Sequence, residues 1–245
     1  LFLYLAYPAP HTPWLPDSEY QGRSGAGMYG DFAMMVDAMV GRVLATLDET
    51  GMSDETLVVF TSDNGPVWYE QDVTRFDHDS SGGLRGMKAD AWECGHRMPF
   101  IVRWPGKVAG GSQSEQLICF TDLMATFAEM LGASLPAQAG PDSFSFFPAL
   151  LGESDPSLRS TWAMKSGSGT MMVRAGDWKL ITRLGSGGFS KPKVIQPGPG
   201  DPKGQLYNLA SDRGETENLY LQHPDVVKEL QRELERITTS TVTRP

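Results

Sequence analysis

An aspartate and an asparagine stand side by side at residues 63 and 64, directly after a short apolar run over 56–61. That run predicts a buried strand, and ligands gather at the carboxyl ends of strands in open α/β sheets. A carboxylate with an amide oxygen suits a hard cation such as Ca²⁺ or Mg²⁺. Both side chains can reach one ion only where the chain already turns, which Gly65 permits. Asp-Asn-Gly also makes a good turn without any metal, and two ligands cannot complete a shell of about six to eight oxygens.

Two further side chains could act on an anion. His11 lies in a stretch with three prolines, 8–13, immediately after an apolar run over 1–7 that predicts another buried strand. An imidazole at that edge could donate to an anion or transfer a proton near neutral pH, and the alternative is a loop histidine packed on Trp14. Lys88 could offer a flexible point charge to a tetrahedral anion, and the alternative is a solvated side chain.

The elements around these residues predict an α/β fold. Apolar residues at three- and four-residue spacing predict a helix over 32–47 that ends at Gly51, between the strands at 1–7 and 56–61. Strand, long helix, strand is typical of a right-handed crossover in a mainly parallel or mixed sheet. Further predicted elements are strands at 99–104 and 117–120 and a helix capped by Thr121 or Asp122 and ended by Gly132.

The pattern changes near residue 152, so we predict a large α/β domain over 1–151 and a small subdomain over 152–245. Short strand-like pieces at 162–164, 171–174 and 178–181 predict an antiparallel meander. A Gly- and Pro-rich stretch at 185–204 predicts a flexible loop, and a final helix should start near Pro224.

Composition narrows the class of function. The 245 residues carry 21 Lys and Arg against 30 Asp and Glu, a formal net charge of −9. An acidic chain without a basic run is a poor partner for nucleic acid or an anionic membrane, although a local pocket can still take an anion. No apolar run approaches the about 18 residues of a membrane helix. Cys94 and Cys119 exclude a disulfide-dense scaffold and leave one pair or two free thiols open.

The order of several motifs resembles the sulfatase family, of the alkaline-phosphatase-like superfamily. The matching segments lie at 2–7 with 9–13, 36–44, 61–65, 84–106 and 206–219, and the segment Leu84-Arg85-Gly86 through Lys88 to Gly106 is the most specific. The resemblance implies that Asp63 and Asn64 are two ligands of an active-site Ca²⁺. It implies that His11 and Lys88 contact the sulfate group and the bridging oxygen as catalytic residues, and that the substrate is a small-molecule or carbohydrate sulfate ester.

The chain also departs from the family pattern. Family members use a formylglycine made within Cys/Ser-x-Pro-x-Arg, and neither Cys94 nor Cys119 lies in such a sequence. The family's amino-terminal metal carboxylates would lie upstream of Leu1, and the chain does not begin with Met or a signal peptide. We therefore expect the second half of a sulfatase, which needs its missing amino-terminal half to complete the site. The compartment stays open, with periplasmic, secreted or lysosomal-type locations implied by the family.

Two other histidines and two other functions stay open. His96 lies beside a strand start, which favours a structural role, whereas His78 lies in a variable loop and could touch the organic part of a substrate. The alternatives to a sulfuric-ester hydrolase are a non-catalytic, anion-binding remnant of the fold and a phosphate- or phosphonate-ester hydrolase. The Asp63-Asn64 pair disfavours the last of these.

Overall fold

The structure is a computed structural model that describes residues 1–153 and 158–244. It divides into two compact units, Leu1–Val58 with Trp68–Ser80, and Val59–Val67 with the described part of Ser81–Pro245. The predicted division at residue 152 stays a prediction. Among the described residues, no helix is both long and apolar enough to cross a bilayer.

The first unit is built on a long helix, α1, over Gly27–Glu49. It ends where predicted, with Gly51 at a positive φ of 68° that a side chain would disfavour. A 3₁₀ turn, Ser53–Glu55, follows, and a short helix, α2, spans Glu70–Phe76.

Aromatic rings and one carboxylate hold the first unit together. Tyr29 of α1 packs between Trp14 and Trp68, with ring centroids 5.7 and 4.8 Å away, and Trp68 also contacts Phe76. The buried Asp31 carboxylate accepts three backbone N–H groups from residues 22–24, and these bonds lower its pKa. The loop before α1 is thereby fixed to the first turns of the helix.

The strand predicted over 1–7 is not formed, and the side chains of Leu1–Leu5 are exposed. An apolar run becomes a strand only when a neighbouring strand takes its backbone groups, and no described strand pairs with this segment. The strand predicted at 117–120 is also wrong. There the Cys119 N–H donates to the Asp122 side chain instead of a ladder, and a 3₁₀ turn, Phe120–Asp122, begins.

The second unit opens with a two-stranded sheet of β1, Val58–Thr61, and β2, Phe100–Arg103. Both strands were predicted. Helices α3, Leu123–Met130, and α4, Phe147–Leu150, follow. Asp122 stands at the start of α3 as predicted, but its carboxylate binds Arg159 rather than capping that helix.

An antiparallel sheet forms the rest, in the order β3-β4-β5-β6. Its strands span Thr161–Lys165, Met171–Ala175, Trp178–Ile181 and Gln205–Asn208. The first three confirm the predicted meander. The last helix, α5, spans Pro224–Thr239 and starts at the predicted proline.

The sheet buries both of its faces. Val173, Leu180 and Leu206 pack against Val227, Leu230 and Leu234 of α5. The other face packs Trp162, Met172, Ile181 and Tyr207 against Ala91 and Trp92. Since strand residues alternate between faces, the same four strands hold a helix on one side and the segment around Trp92 on the other.

The connection before β6 is a loop, as its composition predicted, and main-chain hydrogen bonds order its first part. The buried Ser186 donates its N–H to the Pro192 carbonyl, and Gly187 donates to the Lys193 carbonyl. These bonds fold residues 186–193 back on themselves.

Candidate functional site

The Asp63-Asn64 turn leaves β1 at its carboxyl end, as expected. The Asn64 side-chain N–H donates to the Gly65 carbonyl at 2.9 Å, and the Ser62 hydroxyl donates to the Asn64 carbonyl. Asp63 is exposed, and no described residue forms a hydrogen bond or ion pair with its carboxylate. The turn therefore presents one free carboxylate and one amide oxygen.

Backbone contacts behind the turn fix its position. The Gly65 N–H donates to the Gly95 carbonyl at 3.2 Å, and the Lys88 N–H donates to the Pro66 carbonyl at 2.8 Å. A Cβ at residue 65 would overlap the Cys94 carbonyl oxygen, so only glycine fits there. The turn and the segment that carries Lys88 are thus bonded to each other through their main chains.

Asp63, Asn64 and Lys88 line one open groove of the second unit. Lys88 is half-buried, and its ammonium forms no ion pair with any described residue. The described lining carries seven Lys and Arg side chains against five Asp and Glu, in a chain whose net charge is −9. Arg159 and Arg236 are ion-paired with Asp122 and Glu233, which lie outside this lining, so the charges of the groove nearly balance. Lys88 is therefore the cation beside the turn that can meet an anionic ligand.

The side-chain oxygens of Asp63 and Asn64 are of the type that a hard cation binds, but they are too few to complete its coordination shell. Asp63 and Asn64 offer oxygen ligands, which Ca²⁺ and Mg²⁺ prefer. No group of three or more His, Cys, Asp or Glu side chains within 1–153 and 158–244 is arranged to hold a metal ion. Asp63 and Asn64 could therefore offer two side-chain oxygens to a shell that needs about six to eight.

His11 lies in the first unit and is exposed, with its Nδ1 2.7 Å from the Thr12 carbonyl oxygen. Trp14 packs against Tyr29 and Trp68 instead. His78 belongs to the same unit, where its carbonyl accepts the Trp68 indole N–H at 2.7 Å and its ring contacts the Trp68 ring edge-on.

A buried charge cluster lies on the sheet of the second unit, and no sequence motif indicates it. Lys179 of β5 is fully buried, and its ammonium lies 2.9 Å from Glu93 Oε1 and 3.0 Å from Glu215 Oε1. The second of these distances is an ion-pair contact outside hydrogen-bond geometry. His96 Nε2 lies 3.1 Å from the same ammonium. The available signal was the placement of Lys179 within the apolar run Trp178–Ile181.

The charges in this cluster set each other's pKa. Burial raises the pKa of Glu93, but the charge of Lys179 and its hydrogen bond outweigh that effect and lower the pKa to about 2. Burial and the Lys179 charge lower the pKa of His96 to about 3, so its ring is neutral and Nε2 accepts from Lys179. Burial raises the pKa of Glu215. His96 thus has the structural environment that its position in the sequence favoured.

Neither Cys94 nor Cys119 forms a disulfide in the described part of the chain. Cys94 is buried behind the Gly65 turn, and Cys119 is partly buried, which raises its pKa. Of the two arrangements left open by the sequence, the structure has two separate thiols.

The chain is similar to proteins that hydrolyse sulfate esters. A family model described as Sulfatase matches residues 1–133. The chain is 36% identical over 243 residues to N-acetylgalactosamine-6-O-sulfatase of Bacteroides thetaiotaomicron, which covers 97% of this chain and 47% of that protein. It is 33% identical over 235 residues to human arylsulfatase A, covering 89% of this chain and 44% of that protein.

Similarity in structure agrees with similarity in sequence. A solved sulfatase structure from a study of glycosaminoglycan metabolism in Bacteroides thetaiotaomicron has a TM-score of 0.82 at 35% identity, over 95% of this chain and 49% of that one. The α/β fold class is confirmed by this match. The chain spans about half the length of the curated relatives that it matches.

Proposed function

Because the chain belongs to the sulfatase family, we propose that it carries part of the site of a sulfuric-ester hydrolase. One observation supports this most directly. The main-chain bond from Lys88 to Pro66 keeps an ammonium without a described ion pair and the Asp63-Asn64 turn in one open groove. Such a groove can hold a sulfate group and stabilise negative charge on its oxygens.

We assign roles to four side chains. Asp63 and Asn64 would contribute two oxygen ligands to Ca²⁺, or to Mg²⁺, and a bound cation would supply positive charge beside the sulfuryl oxygens. Lys88 would donate to a sulfate oxygen or to the bridging oxygen. His11 would protonate the leaving alcohol, because an imidazole can carry a proton near neutral pH.

The proposed substrate is a carbohydrate sulfate ester. Two observations support it, namely the Lys88 ammonium in the open groove and the 36% identity to an enzyme named for N-acetylgalactosamine-6-O-sulfate. The particular sugar would be selected by residues outside the Asp63, Asn64 and Lys88 set.

The remaining parts of the site are proposed to come from sequence outside these 245 residues. The chain has no Cys/Ser-x-Pro-x-Arg sequence for a formylglycine, and no group of three or more His, Cys, Asp or Glu in its described part could hold a metal ion. No observation favours the non-catalytic or the phosphoester alternative.

The experiment starts from the source gene. We expect an upstream stretch that encodes adjacent acidic residues after a strand and then Cys/Ser-x-Pro-x-Arg, and we expect the full reading frame to hydrolyse a chromogenic aryl sulfate in a calcium-dependent way. The 245-residue chain alone should show no turnover. Calcium-dependent turnover by the chain alone, abolished by His11→Ala, would contradict this division of the site.

Variants of the full-length enzyme test the residue roles. Lys88→Ala and Asp63→Ala should each lower kcat/KM by about 100-fold or more, since each removes charge stabilisation from the reaction. Lys165→Ala and Glu115→Ala are matched controls, because both side chains are exposed and line the same groove. Equal losses in the control variants, or full activity of Lys88→Ala, would refute the assignment.

Calcium binding by the chain alone is a separate prediction. With two ligands, the dissociation constant should be on the order of millimolar or weaker. Calorimetry that gives micromolar binding, or binding that survives Asp63→Ala together with Asn64→Ala, would exclude the proposed ligands.

A further inference from the structure

Two like charges face each other on the antiparallel sheet. Arg174 of β4 and Lys179 of β5 are directly paired residues on neighbouring strands. Like charges directly opposite on a sheet destabilise it. Here a carboxylate compensates for them, since Glu93 places Oε1 2.9 Å from Lys179 Nζ and Oε2 3.9 Å from Arg174 Nη1.

Lys179 has no capacity for any other ligand. Its ammonium is hydrogen-bonded to Glu93 and His96 at 2.9 and 3.1 Å and forms an ion pair with Glu215 at 3.0 Å, and its side chain is fully buried. Glu215 also accepts the Glu93 backbone N–H, at 2.6 Å. Lys179 thus holds the side chain of Glu93, and Glu215 holds its main chain.

The main chain after Glu93 continues directly to the candidate site. Glu93–Gly95 is a 3₁₀ turn, the Gly95 carbonyl accepts the Gly65 N–H, and the Cys94 carbonyl lies against the Gly65 Cα. On the other side of Glu93, five residues earlier in the chain, Lys88 donates its N–H to Pro66. The position of Glu93 therefore sets the position of the Asp63-Asn64 turn and of Lys88 together.

We propose that Lys179, with Arg174, is a positioning residue for this site. The pair holds Glu93 in a charge clamp, here meaning Arg174, Lys179, Glu93 and Glu215, and the clamp orients the turn and the lysine that line the groove. The catalytic consequence rests on the proposed sulfatase function, whereas the structural part does not.

A charge clamp does something that apolar packing alone does not. Ala91 and Trp92 already pack on the same sheet face, and such contacts are non-directional. The Lys179 ammonium donates to one defined oxygen, Glu93 Oε1, and so favours one geometry of the carboxylate. Arg174, 3.9 Å from Oε2, adds positive charge without a hydrogen bond, and Arg97 donates to Oε2 at 3.3 Å. Packing thus holds the segment on the sheet, and the clamp fixes its register and tilt.

The first test measures amide hydrogen exchange in the 245-residue chain. Lys179→Met should speed exchange of the Gly65 and Lys88 amides by about 10-fold or more, relative to the amides of β4. Leu230→Ala is the matched control, because Leu230 packs on the opposite face of the same sheet and lies outside the clamp. The control should change the Gly65 and Lys88 amides no more than it changes those of β4.

A neutral variant covers the case in which Lys179→Met fails to fold. Lys179→Met with Glu93→Gln and Glu215→Gln neutralises the three fully buried groups of the clamp and should fold, because the Arg174 side chain that stays charged is partly exposed to water. Its Gly65 and Lys88 amides should also exchange about 10-fold faster than in the wild type. Unchanged protection of both amides in this variant, or in a folded Lys179→Met, overturns the proposal.

A kinetic measurement separates positioning from stability in the full-length enzyme. Lys179→Met should lower kcat by about 10- to 100-fold with little change in KM, since a small misplacement of Lys88 weakens the transition state more than substrate binding. Lys179→Arg, which keeps the charge, should recover part of kcat. If hydrogen exchange behaves as expected but no sulfate ester is turned over, the clamp stands and the proposed function fails. A normal kcat in Lys179→Met overturns the clamp.

Discussion

Replacing Asp122 by asparagine should unfold the second unit at a markedly lower temperature than the wild type. Asp122 and Arg159 are almost completely buried and form a two-pronged ion pair, with Arg159 Nε 3.0 Å from Oδ2 and Nη2 2.6 Å from Oδ1. The carboxylate also accepts the backbone N–H groups of Cys119 and Phe144, at 2.8 and 3.0 Å. Every acceptor position of the carboxylate is therefore in use.

The magnitude follows from what asparagine cannot replace. The asparagine amide keeps one oxygen. Its NH₂ group replaces the other oxygen and faces N–H donors from which that oxygen accepted hydrogen bonds. Arg159 stays buried over the Phe144 ring, 4.3 Å away, without its counter-charge. Removing one partner of a buried pair costs about 3–5 kcal/mol. For a chain of this size, about 2–4 °C per kcal/mol gives a fall in Tm of about 6–20 °C.

The assay is urea and thermal unfolding followed by circular dichroism, with a double-mutant cycle. Asp122→Leu with Arg159→Met should cost less than the sum of the two single changes, because it leaves no buried charge unpaired. Lys228→Gln is the control, since Lys228 and Asp225 are 3.8 Å apart and largely exposed. That change should cost less than about 1 kcal/mol.

Two results would refute the reasoning. One is a loss of less than about 1 kcal/mol in Asp122→Asn, which would mean that water or another group satisfies Arg159. The other is strict additivity in the cycle, which would mean that the two side chains contribute independently.

Three further predictions follow from single residues. The pKa of His96 is about 3 in the folded chain against an ordinary value of 6.5, so the unfolded state binds the proton more readily and stability should fall as the pH drops from about 6.5 towards 3. His96→Gln should reduce the change of the urea midpoint between pH 7 and pH 5. The same pH dependence in this variant as in the wild type would contradict the pKa shift of His96. Gly65→Ala should cost about 1–3 kcal/mol or more, because its Cβ would overlap the Cys94 carbonyl oxygen, whereas Gly110→Ala has open space and should cost less than about 0.5 kcal/mol in the same melts. His11→Ala should leave the melting temperature within about 1 °C, since the ring is exposed, while it removes turnover of the full-length enzyme, so a large fall in stability would point to a structural role.

The sequence determined those elements whose signals lie close together in the chain. Spaced apolar residues and Gly51 predicted α1, β-branched runs predicted β1 and β2, and Pro224 predicted the start of α5. Ordered motifs also predicted the family and the turn at Asp63 and Asn64. In each case the information is a pattern of neighbours, which burial of one face of a helix or strand imposes directly on the sequence.

The tertiary structure decided which of these signals take effect. The run over 1–7 has strand composition, but the described residues provide it with no paired strand. The run 117–120 does not form a strand, because the Cys119 backbone N–H donates to the Asp122 carboxylate instead. Composition measures a tendency, whereas a strand exists only when another segment accepts and donates its backbone hydrogen bonds.

The charge clamp depends on tertiary structure alone. Glu93 and Lys179 are 86 residues apart, and Arg159 lies 37 residues from Asp122. A lone charged residue in a sequence is expected at the surface, because burying it without a partner costs several kcal/mol. Only the folded chain brings Glu93 to within 3 Å of Lys179. This carboxylate is why Lys179 can lie in the core and hold the segment that carries Lys88.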